Sequence, residues 1–194
     1  MDHVMPEFGP SPDVTQLIHR MQTGDVDARE QLIALLYEHL HGRAARELAR
    51  RGGSSLFEPT ALVNEVWMRL QESDGTFGNR QHFLATASAT MRNLLIDHAR
   101  RRRRGPDLDG DDDGSPMLDA LVSRYEEGGL DLLALHEALE DLTVLDPEAA
   151  RLVEMRFFVG ASAEDAAAAA GLSPRTATRR FDFAKRWLKK RLGD

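Results

Sequence analysis

From Ser162 to Leu192 the chain reads SAEDAAAAAGLSPRTATRRFDFAKRWLKKRL, and this stretch limits the fold more than any other. Ser162 has the chemistry of a helix N-cap, and Asp165 three places on can return a bond to the cap's backbone N–H, the reciprocal arrangement of a capping box. An alanine-rich helix should follow. Gly171 ends it, because a tight turn between helices wants a residue that tolerates positive φ, and Leu172 can tuck beneath that turn. Ser173 and Pro174 restart the chain as N-cap and first helical residue. In the second helix Ala177, Phe181, Ala184 and Leu188 fall on one apolar stripe, which leaves Arg175, Thr178, Arg179, Asp182 and Arg186 facing outward. A helix-turn-helix of this build can enter a DNA major groove. Arg175, Thr178 and Arg179 in its first turns would reach base edges, Ser173 and Thr176 are further DNA-binding candidates at its start, and the basic remainder, Arg186 included, would run along phosphates. The plainer alternative is an amphipathic hairpin with a solvated basic face. Against it stand two caps, a glycine turn, a phased stripe, and one acidic residue against eight basic ones from Gly171 to Leu192.

A net charge of -7 looks wrong for a nucleic-acid binder, but the charge is segregated. Arg100 to Arg104 and the C-terminal helix are strongly cationic, whereas residues 105 to 131 hold nine acids and only Arg124 as a base. At 194 residues with 42% apolar content the chain can build one or two cored domains. With no cysteine, disulfides and thiolate metal sites are excluded and a reducing compartment is compatible. There is no long apolar run and no signal-type start, so the expectation is a cytoplasmic protein without a membrane partner.

Taken in order, residues 1–12 hold three prolines and no periodicity, and are expected to be a flexible tail. Val14, Leu17, Ile18 and Met21 then share a helix face closed by Gly24. Asp27 with Glu30 reads as a second capping box, opening a longer helix through Leu32, Leu35, Leu36 and Leu40 toward Leu48, which Gly52, Gly53, Ser54 and Ser55 break. A third helix is expected from near Pro59 to about Gln71, with Val63, Val66 and Leu70 inward and Asn64, Glu65 and Arg69 on other faces. After a loop, a fourth helix from Arg80 to about Arg103 carries Leu84, Ala87, Met91, Leu94, Leu95 and His98 at helical spacing, and would be about 36 Å long. No strand signal competes. The expected fold is all-α: two small helical domains, residues 13–104 and 131–194, joined by a flexible acidic linker over 105–130, the second domain a helix-turn-helix.

The run PTALVNEVWMRL from Pro59 to Leu70, followed by HFLATASATMRNLLIDHARRRRR from His82 to Arg104, resembles the second region of extracytoplasmic-function (ECF) bacterial sigma factors. From about Leu139 to Leu192, with LDPEAARLVEMRFFVG ahead of the helix-turn-helix, the chain is similar to their fourth region. The likeness spans nearly everything but tail and linker, and both halves stand in the family's order and spacing.

The resemblance implies a promoter-specificity subunit with core RNA polymerase and promoter DNA as partners, and it allows an anti-sigma factor as a third. The helix Pro59 to Leu70 would dock on the polymerase clamp through Asn64 and Glu65, with Trp67 as support; an ordinary exposed carboxylate is the alternative for Glu65. Where many relatives have acids just before the Leu-Val pair, Thr60 and Ala61 stand here. The long fourth helix and the loop before it would handle the -10 element, and the helix-turn-helix the -35 element. A separated strand is read by stacking bases on planar side chains and guiding the backbone along positive charge. Asn79, Arg80 and His82 near the helix start, and Arg92, Arg100 and Arg101 along it, supply such groups. Phe77 and Phe83 are also near, and for Phe83 core packing is the better reading.

Other chemistries fare poorly. Asp109, Asp111, Asp113 and Gly114 open like a calcium-binding EF-hand loop, but its twelfth position, which needs a bidentate carboxylate, is Ala120. No phosphate-cradling glycine loop, nucleophile elbow or His-Glu-x-x-His motif occurs, so no enzyme, metal site or cofactor is expected. The competing function is a stand-alone helix-turn-helix repressor or activator that binds duplex DNA as a dimer; a DNA-processing enzyme with an appended reading domain is the weaker third.

Overall fold

A computed structural model describes residues 14–35, 60–72, 76–104, 122–123, 126–127, 129 and 131–193, and these residues are helix and turn without strand. The helices are α1 (Val14–Gln22), α2 (26–35), α3 (Thr60–Glu72), α4 (Arg80–Arg104), α5 (Leu132–Leu145), α6 (Pro147–Phe158), α7 (Ala163–Ala169) and α8 (Pro174–Leu192). The expected continuation of the second helix toward Leu48, its break at Gly52 to Ser55, and nearly all of the acidic linker with its EF-hand-like run lie outside the described residues.

Local chemistry accounts for where most of these helices begin. Asp131 caps α5 by accepting from the Leu133 and Ala134 amides at 2.9 and 3.0 Å. Asp146 caps α6 through the Ala149 amide, with Pro147 in the first turn where no N–H is needed. One start differs from the sequence expectation. The turn at Gly24, whose φ is +90°, is followed at once by Asp25, which accepts from the Ala28 amide at 3.1 Å. The cap of α2 is therefore Asp25, two residues ahead of the expected cap Asp27, because the nearer aspartate follows the glycine turn directly and takes the Ala28 amide.

The organising element is α4. At 25 residues it is about 37 Å long, and it packs against α1 and α3 on one side and against α5, α6 and α7 on the other. Its buried residues, Phe83, Leu84, Ala87, Ser88, Met91, Leu94, Leu95, Ile96, His98 and Ala99, cover more than one stripe. A helix covered from two sides must be apolar over a wide arc. The consequence is a single continuous apolar core that runs from Val14 and Ile18 of α1, through α4, to Leu139 of α5 and Ala184 of α8.

Candidate nucleic-acid interface

Ser162 caps α7 by accepting from the Asp165 amide at 3.0 Å. Six residues past Asp165 the chain turns at Gly171, with φ +66°, and the Leu172 amide donates back to the Ala167 carbonyl at 2.9 Å. Leu172 is half-buried beneath that turn. Ser173 then caps α8, its hydroxyl accepting from the Thr176 amide and donating to the Thr176 hydroxyl. Ala177, Ala184 and Leu188 bury against the core, and Phe181 is half-buried with the Arg156 guanidinium 4.1 Å from its ring centroid. Buried alanines on both helices, Ala166 and Ala167 of α7 and Ala177 of α8, allow a short helix to sit close to a long one.

The outward face of α8 presents Arg175, Thr178, Arg179, Asp182 and Arg186, all exposed. Thr178 donates its hydroxyl to the Pro174 carbonyl at 2.9 Å, which fixes the rotamer and leaves an acceptor outward. Asp182, the acid on this face, takes the Lys185 ammonium at 2.9 Å, and that hydrogen bond holds its carboxyl below the usual range. The acid is thus neutralised locally and the face stays cationic. Thr176 is half-buried and serves the cap with Ser173.

Arg180 is a residue the sequence reading passed over. Its guanidinium reaches Asp146, the α6 cap, and Glu148 at 3.2 Å. It sits three places after Ala177 and four before Ala184, at the margin of the apolar stripe, and an acid pair flanking Pro147 was the signal for an inward cation. The pair ties α8 to the α5–α6 corner and so sets how the outward face is presented.

The α4 groups are placed differently. Asn79 accepts from the His82 amide at 2.8 Å, acting as the cap of α4, and His82 accepts from the Gly78 amide through Nδ1 at 3.2 Å. Phe77 and Phe83 are core residues with rings edge to face at 5.2 Å. Arg80, 19% exposed, makes a two-pronged pair with Asp165 of α7, at 2.8 Å from Nε and 2.9 Å from Nη2. Arg92, 14% exposed, is held between Glu140 of α5, at 2.6 Å, and Glu154 of α6. Arg100 and Arg101 are exposed, whereas Arg103 pairs with the Asp131 cap at 2.6 Å and Arg102 with Ser123 and Glu126. Burial works to raise the Asp131 carboxyl, but the Ala134 amide and Arg103 outweigh it and hold the group below the ordinary range.

On α3, Asn64 is exposed and Glu65 half-exposed, 3.6 Å from Arg69 one turn on. Trp67 is buried, its indole N–H without a partner and its ring 5.9 Å from the Arg29 guanidinium. Of the three residues expected at the polymerase, Asn64 and Glu65 reach the surface and Trp67 is buried. Among the described residues no cluster of three acids or histidines could hold a metal ion, and no helix is long and apolar enough to cross a membrane.

A family model described as "ECF sigma factor" matches residues 11–194, and no curated protein or solved structure matches. The chain belongs to the ECF sigma factor family, a family of promoter-specificity subunits of RNA polymerase. The match covers both the α4 half and the α7–α8 half.

Proposed function

We propose that this chain binds core RNA polymerase in the bacterial cytoplasm, reads the -35 element with α8 and engages the separated -10 strand with α4. The observation that carries the reading is the cationic outward face of α8, where Arg175, Thr178 and Arg179 stand exposed in the first turns and Arg186 farther along. Side chains in those turns reach base edges, and later ones lie over phosphates. Ser173 and Thr176 act by fixing the start of the helix, whose amide end also favours a phosphate. Asn79, Arg80, His82, Arg92, Arg100 and Arg101 are assigned to the -10 strand, and Asn64 and Glu65, backed by Trp67, to the polymerase surface.

Gel-shift titration with and without core enzyme tests this. The free protein is expected to bind promoter duplex weakly, because one reading helix offers one half-site and log K falls by about 0.9 per neutralised phosphate for each tenfold rise in salt. Adding core should give tight, promoter-selective binding with strand opening, since both contacts then act at high effective concentration. Nanomolar duplex binding by the free protein, unchanged by polymerase, would establish the dimeric repressor instead.

A further inference from the structure

We propose that Phe183 of α8 contacts the C5-methyl group of a thymine in the -35 duplex, which makes it a specificity-determining residue beyond the polar groups assigned above. The contact presupposes that α8 is the helix that enters the -35 major groove.

Phe183 is the large apolar side chain that α8 leaves open. Leu188 is buried, and Phe181, Trp187 and Leu192 pack against the shared core, whereas Phe183 is 38% exposed and stands apart from that core. The ring of Phe181 faces the Arg156 guanidinium at 4.1 Å and the Lys185 ammonium at 5.3 Å, but no ring or cation of the described residues faces Phe183. Four residues after Arg179 and three before Arg186, Phe183 lies on the same side of the helix as both, and it follows Asp182 directly. A single exposed phenylalanine on an ordinary surface needs no explanation; this one interrupts a cationic face built to meet DNA.

A phenyl ring donates nothing to a phosphate, and the Asp182 carboxylate beside it repels one. The 182–183 step therefore does not continue the phosphate contacts of the arginines around it. On the base edges of the major groove the apolar group is the thymine C5-methyl, which a phenylalanine takes without any hydrogen bond. That methyl projects near the backbone of its own strand, where a recognition helix passes from base edges to phosphates. Phe183 stands at this passage, between Arg179, assigned to bases, and Arg186, assigned to phosphates. Because no charge is neutralised, the contact adds selectivity with little dependence on salt.

The full-length chain assembled with core polymerase provides the test. Selection from duplexes randomised across the -35 element should return a thymine within about two base pairs of the pair that Arg179→Ala relaxes, because four residues span about 6 Å of helix and a base step about 3.4 Å. Replacing that thymine by deoxyuridine removes the methyl alone and should weaken the parent about fourfold, the effect of returning one methyl to water. Phe183→Ala should lose about the same factor on the thymine duplex and be indifferent to the exchange, so that the two changes are not additive. Phe183→Leu, still apolar, should keep part of the methyl dependence, and both variants should retain native circular dichroism because the ring lies outside the core.

A selected element with no thymine in that reach, or a methyl effect that survives Phe183→Ala, overturns the proposal. Equal losses for Phe183→Ala on thymine and deoxyuridine duplexes would put the ring on a sugar or on a protein surface, and overturn it as well. If Arg179→Ala relaxes no base pair, the assignment of α8 to the -35 element falls and takes Phe183 with it. Selectivity lost with Arg179→Ala, but no methyl effect that depends on Phe183, removes Phe183 alone.

Discussion

Helices α4 and α8 are both long, both end in a basic run, and both carry arginines assigned to DNA, yet their surroundings are opposite. The arginines on the outward face of α8 are exposed, and the acid Asp182 there is taken by a neighbouring lysine. Two arginines of α4 are covered by acids from another part of the chain, and its terminal basic run is partly paired with Glu126 and Asp131. A cationic helix is thus not in itself an open DNA surface. What separates the two is topology: α8 is the last helix and packs on one side, whereas α4 is packed from both.

The shared core is the place to break that comparison hardest. Phe83 of α4 is fully buried and stacks edge to face on Phe77, so Phe83→Ala should cost about 3–5 kcal/mol. Because one apolar cluster joins both halves, thermal melting followed by near- and far-ultraviolet dichroism should shift as one transition; two separated transitions would show that the halves are cored independently. A smaller effect tests the free face. Arg179→Ala should cost about 1–3 kcal/mol at a cognate -35 duplex in the polymerase complex and relax selectivity there, whereas Arg180→Ala, which unties α8 from Asp146 and Glu148, should weaken all sequences alike. Equal losses on cognate and scrambled duplexes for Arg179→Ala would contradict the assignment.

On α3, Glu65→Arg should leave the dichroism spectrum native and weaken core binding by about 1–2 kcal/mol in a pull-down titration, typical of a significant interface side chain. Full retention of binding would move the docking surface elsewhere. The smallest effect is a pH slope at the α4–α5 contact. His136 is held below its ordinary value of 6.5 by burial and by Arg92, with Arg100 acting the same way and Glu140 and Glu137 opposing. The unfolded chain therefore takes this proton first, so the contribution is complete above about pH 6.5 and is lost as pH falls below it toward the folded value. His136→Gln should flatten the dependence of the melting midpoint just below pH 6.5; an unchanged slope would assign it to other groups.

Much of the helical framework was legible because its signals are short-ranged. Ser162, Ser173, Gly171 and the Ala177, Ala184 and Leu188 stripe all act within a turn or two, and each is found in the expected role. Asp165 was legible only in part. Its amide serves the Ser162 cap and its carboxylate accepts from the Ser162 hydroxyl, but the carboxylate is also engaged by Arg80, a partner that no local pattern could announce. Arg180 was missed for the opposite reason, since its neighbours in sequence are arginine and phenylalanine and its acids lie at the α5–α6 corner.

By itself the sequence determined the all-helical class, most helix starts, the outward cationic face of α8 and the family. Those follow from caps, φ preferences and a period of 3.6, which depend on residues three or four apart. Only the tertiary structure decided which of the charged groups are available. Arg92 meets Glu140 across 48 residues and Arg80 meets Asp165 across 85, and a guanidinium's freedom depends on what the fold brings to it. Long-range charge pairing carries no periodicity, so α4 and α8 look alike in sequence and differ once the core places acids over one of them.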